Sequence, residues 1–89
     1  MNGPPDGPVR APSFDLENAR QQSGLTMAEL WFACVGLGGT AMPPELYAYV
    51  LGRSTPGRHD YNVVAQALNE RFADMDLDHP VPYFNELET

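Results

Sequence analysis

Apolar residues recur at helical spacing along this chain, and nowhere do they alternate over enough positions to make a strand. The clearest run is "YNVVAQALNERFADM", where Tyr61, Val64, Ala65, Leu68, Phe72 and Met75 fall at offsets of 3, 4, 7, 11 and 14 and so share one stripe of an amphipathic helix. Its start is expected near "STPGRHD", with Ser54 or Thr55 as the cap and Pro56 pre-setting the first turn.

Three more segments read as helices. In "LTMAELWFACVGLGG", Thr26 and Glu29 have capping-box spacing and Leu25 and Leu30 occupy the staple positions. No charge follows Glu29 until Glu45, and Met27, Leu30, Trp31, Cys34, Val35 and Leu37 spread over more than one face, the pattern of a central helix or of one lying in a subunit interface. "MPPELYAYVLG" predicts a helix with its prolines in the first turn, Leu46, Tyr49 and Val50 on one face and Gly52 at its end. "SFDLENARQQ" predicts a short helix capped by Ser13, with Asp15 and Glu17 in its first turn.

The two ends of the chain differ from its middle. Residues 1–12, with Pro4, Pro5, Pro8 and Pro12 and with Gly3 and Gly7, can bury almost nothing and are expected to be a disordered tail. Pro80 and Pro82 argue against a helix after Met75 and predict an extended segment laid across the bundle by Val81, Tyr83 and Phe84. The expected organisation is one all-α domain over residues 13–84, a bundle of three to four short helices, followed by an acidic tail at 85–89.

Composition narrows the function. A chain of 89 residues and 9.8 kDa is one small domain with little room for a deep active site. Its net charge is -7, and all five basic residues other than histidine are arginines. An acidic balance disfavours nucleic-acid binding by the chain alone and disfavours an anionic membrane surface. The single Cys34 permits no disulfide framework, and no stretch reads as a leader or a membrane span. The expected compartment is the cytoplasm.

Several runs invite a chemical reading. "VGLGGT" has the glycines of a phosphate loop, but they follow a helix instead of a strand and no lysine accompanies them, so a helix C-cap is expected. "DMDLDH" alternates acids like a calcium loop, yet the positions needing Gly and Glu hold His79 and Asn85. His59 and Asp60 with Ser54 and Thr55 read as caps at one helix start, not as a nucleophile and base, and Cys34 reads as core. Arg53, Arg58 and His59 form the one locally basic loop, a candidate contact for an anion or an acidic partner. As a helix-turn-helix, the chain would present Glu45, Tyr47 and Tyr49 from one helix, or Asn62, Gln66, Asn69 and Arg71 from the next.

Leu30-Trp31, Leu37 to Gly39, the Glu-led segment Glu45 to Gly52, and Asn69 to Arg71 together resemble small uncharacterised helical proteins of high-GC actinobacteria. That resemblance implies a helical domain with a regulatory role and carries no activity, substrate or catalytic residue. Together with the residues, it leads to the expectation of a non-enzymatic, cofactor-free interaction module that binds a copy of itself or another protein, such as a basic face on transcription machinery. The alternative from another class is a helix-turn-helix nucleic-acid binder. The candidate surface is aromatic: Trp31, Phe32, Tyr47, Tyr49, Tyr83 and Phe84.

Overall fold

Among residues 14–87, which the computed structural model of the chain describes, five helices form and no strand does. They are α1 (Leu16–Ser23), α2 (Met27–Gly36), α3 (Pro43–Val50), α4 (Arg58–Asp74) and α5 (Phe84–Leu87). The all-α class is thus the one the chain adopts. The expected disordered tail at 1–12, Ser13, and residues 88–89 of the acidic tail lie outside the described residues.

Local chemistry sets most of the helix ends. The cap of α1 is Asp15, two residues later than expected, and its carboxylate accepts the Asn18 N–H at 2.9 Å. The α2 box forms as its spacing predicts: Thr26 Oγ1 accepts from Glu29 N–H at 3.1 Å, and Glu29 Oε1 from Thr26 N–H at 2.8 Å. At α3 the prolines occupy the first turn, and Glu45 reaches back to accept the Met42 N–H at 2.8 Å. The start of α4 corrects the sequence reading. Gly57 is the N-cap, with neither Ser54 nor Thr55 in that place, and its carbonyl accepts the first helical bond from Tyr61 N–H at 2.9 Å.

The middle of the fold is α4, not α2. It packs against α1, α2 and α5 and buries Tyr61, Val63, Val64, Ala65, Ala67, Leu68, Asn69 and Phe72. Tyr61, Val64, Ala65, Leu68 and Phe72 are the expected stripe; Val63 and Ala67, one turn apart, add a second buried face. Alanines at 65 and 67 let neighbouring elements approach closely on two sides. Met75 falls outside the buried stripe, at 41% exposure, because the helix has already ended at Asp74. In α2, by contrast, only Leu30 and Cys34 are buried.

The glycine run after α2 separates into three roles. Gly38, at φ 89, is the left-handed residue that turns the chain, and its N–H bonds the Val35 carbonyl at 3.0 Å. Gly39 is needed for space: a Cβ there would lie 2.8 Å from the Cys34 carbonyl oxygen and 3.1 Å from Val63 Cγ1. Gly36 has an ordinary helical backbone, and nothing lies within 4 Å of where its Cβ would be. Leu37 is the C-cap, and of the glycines only Gly38 and Gly39 serve the turn that follows it. Gly38→Ala is expected to cost about 1 kcal/mol through its backbone. Gly39→Ala should cost roughly 2 kcal/mol, because the clash is with backbone and displaces the 2.8 Å Gly39–Cys34 hydrogen bond. Thermal melts of the two variants give the order.

After Met75 the chain turns through Asp76 and His79, both at positive φ, and returns across α4. Val81 is buried in the core, as expected, and Tyr83 and Phe84 pack partly against it. An extended path does not persist to the end, however. Beyond Pro82 the chain gains one helical turn, α5, started by Glu86 Oε1 accepting the Tyr83 N–H at 2.6 Å, and Leu87 packs on the core. The prolines forbid helix only up to their own positions. Three α4 side chains hold this strap by its backbone. Asn69 makes two bonds to Val81 (2.8 and 2.9 Å), Tyr61 donates to the Pro82 carbonyl at 2.8 Å, and Asn62 accepts from Phe84 N–H at 2.7 Å. Burial, and then the Glu86 carboxylate, push the Tyr61 phenol up to about 12.

Candidate interaction surface

Leu30 and Cys34, one turn apart, point α2 into the core, which leaves Ala28, Phe32, Val35 and Gly36 on its outward side. All four are exposed, Phe32 at 68% and Val35 at 45%. Glu29, at the edge of this face and engaged in the cap, is its one charge. An ordinary solvent-facing helix side is polar, and α4 and α1 keep that rule: α4 turns Gln66, Glu70, Arg71 and Asp74 outward, and α1 turns Asn18, Gln21 and Gln22. On α2 the rule is broken over its whole outward side.

The edge of this surface continues toward α3. The Trp31 ring stands edge-on to Phe32 at 5.3 Å between centroids, and its Nε1 donates to the Ala41 carbonyl at 2.9 Å. Met42, the residue after Ala41, is 61% exposed. Farther along α3, Tyr47 and Leu51 are exposed one turn apart.

The six aromatic candidates therefore divide. Phe32 and Tyr47 face solvent; Trp31, Tyr49, Tyr83 and Phe84 are half-buried. Tyr49 donates to Asp60 Oδ2 at 3.3 Å, and burial followed by that carboxylate raises its phenol above the usual range. Phe84 packs edge-on against Tyr61 at 6.0 Å, under the Arg58 guanidinium at 4.7 Å. Aromatic type alone does not find Ala28, Val35, Gly36 and Met42. For α2 the signal in the sequence is angular: positions 28, 32, 35 and 36 lie opposite Leu30 and Cys34, the last three of them inside the stretch without charge.

The three basic candidates are all exposed. Arg53 lies on the α3–α4 loop, and Arg58 and His59 lie in the first turn of α4, with the Arg58 guanidinium over the Phe84 ring. Of the polar residues that α4 would offer to a nucleic acid, Asn69 and Asn62 hold the strap, Arg71 donates to the Ser23 carbonyl at 2.9 Å, and Gln66 bonds Glu70 at 3.2 Å. Reading Asn69 as an outward residue is corrected by its burial beneath Val81.

Cys34 lies beside a cleft lined also by Trp31, Tyr49, Asp60 and Val63, whose free space of ≈ 10 Å³ fits about one water molecule. Burial, and then Asp60, push the thiol up to about 11, so it is not a ready nucleophile at neutral pH. Asp74, Asp76 and Asp78 are exposed, and among the described residues no three His, Cys, Asp or Glu side chains converge as metal ligands. Nor is any described helix long and apolar enough to cross a membrane.

Fold and surface together define a small all-α domain with a central helix, a C-terminal strap and one outward helix face that is apolar. No protein-family model, curated protein or solved structure matches the chain.

Proposed function

We propose that this protein is a non-enzymatic helical interaction module with a regulatory role, engaging another protein surface through the outward side of α2 and the adjoining start of α3. The observation that carries this reading is Phe32. It is a large aromatic residue, 68% exposed, centred on a helix face whose one charge is Glu29 at the edge. Its exposure is disfavoured in an isolated molecule, and aromatic anchors of this kind supply much of the energy of protein interfaces. The remaining chemistry supports binding over catalysis, since the buried thiol is weakly acidic and the cleft beside it has room for about one water.

A photo-crosslinking side chain placed at position 32 tests the reading in the source cells, with the same group at exposed Gln66 on the polar side of α4 as control. Covalent adducts to protein are expected from position 32 and not from position 66. Absence of any protein adduct from position 32, with the variant folded and expressed, would reject this surface as the site of function.

A further inference from the structure

We infer that the occupant of the α2 face is a second copy of this chain, packed antiparallel about a two-fold axis so that Phe32 of each copy seats over Gly36 of the other. The inference rests on the reading of α2 as an interaction surface and adds the identity of the partner.

Three observations lead to it. The first is Gly36 itself. Glycine within a helix is unfavourable relative to alanine, and here neither the backbone nor a neighbour calls for it: its φ is helical, the turn is made by Gly38, and the place of its Cβ is open space. Among the described residues of one copy, nothing requires the side chain to be missing. Its absence leaves the helix surface bare at this point of the outward face, where no other described residue approaches.

The second is the position of the knob that would cover it. Phe32 lies one turn before Gly36 on the same face, about 6 Å along the axis. When two identical helices pair antiparallel with the axis midway between these residues, each Phe32 meets the other copy's Gly36, and both knobs and both glycines are used at once. Val35 flanks the contact and Ala28 permits close approach at its far side.

Charge is the third. Two copies at net charge -7 repel each other over most of their surfaces. Residues 30–44 carry no charge, so this face is where they can meet without opposing carboxylates. A basic protein would find no matching charge on it except Glu29, which the Thr26 cap already uses, and a nucleic acid or an anionic membrane would find none. Antiparallel packing also lays the positive end of each helix dipole beside the negative end of its partner's.

Sedimentation equilibrium of the full chain from micromolar to millimolar concentration reads the association directly. A monomer–dimer equilibrium is expected, and it should tighten as salt screens the repulsion. Phe32→Gln and Gly36→Gln should each weaken it by about tenfold or more, while the melting temperature of dilute Gly36→Gln is unchanged or higher. A monomeric mass at millimolar concentration, or a dimer that Gly36→Gln leaves intact, overturns the inference. Crosslinks from position 32 that reach only other proteins also overturn it while preserving the α2 surface; no protein crosslinks at all would remove both.

Discussion

Phe72→Ala is expected to lower stability by about 4 kcal/mol, the largest effect of any single truncation considered for this fold. Phe72 is the largest of the fully buried side chains, on the inner stripe of α4 one turn beyond Leu68. Its carbonyl accepts the Met75 and Leu77 N–H groups, both at 2.9 Å, so the residue also anchors the turn that sends the chain back toward the strap. Removing the ring leaves a cavity that α4, held by α1, α2 and α5, cannot collapse to fill. A domain of this size has on the order of 5–10 kcal/mol in all. The melting temperature should therefore fall by about 20 °C, and in denaturant the midpoint should move to roughly half its parent value. Met75→Ala is the matching control. Met75 continues the same spacing in the sequence but is exposed past the end of α4, so its truncation should change stability by less than about 0.5 kcal/mol. Equal losses in the two variants would mean that the buried stripe continues past Asp74, contrary to the fold described above.

Asn69→Ala should cost about 3 kcal/mol, for a different reason. The Asn69 amide is 1% exposed, donating from Nδ2 to the Val81 carbonyl and accepting the Val81 N–H on Oδ1. Val81 is itself buried, so truncation strands one donor and one acceptor without water, each at about 1–3 kcal/mol. The cost has a ceiling, because the strap can peel away and rehydrate, giving up the burial of Val81 and the Tyr61 bond to Pro82. Hydrogen exchange distinguishes the two responses. Loss of protection at the Val81 amide, with α1 to α3 still protected, marks local release of the strap; a uniform loss marks global destabilisation. A melting temperature within 2 °C of the parent protein, with Val81 still protected, would show that these two bonds do not hold the strap.

How far the fold can be read from the chain depends on the range over which each cause acts. Thr26 with Glu29, the prolines at 43 and 44, and Gly52 work within a turn of their own positions, and the helices begin or end where they indicate. The start of α4 is the exception. Three residues with cap or first-turn chemistry, Ser54, Thr55 and Pro56, precede Gly57, and competing local signals leave the boundary ambiguous. The interaction surface was half legible. The uncharged stretch marks α2 as unusual, and the angular positions of Leu30 and Cys34 against Phe32 and Val35 divide it into two faces. An apolar face has the same composition whether its own chain covers it or leaves it open.

The sequence by itself determined an all-α fold, the order of its principal helices and an α2 free of charge after Glu29, since those follow from spacing, caps and composition. Only the tertiary structure decided that α4 takes the centre, that Asn69 lies inside beneath Val81, and that the place of a Cβ at Gly36 is open space. Burial is a property of what distant segments lay over a residue. Val81 returns over Asn69 from twelve residues away, and among the described residues no segment buries Phe32.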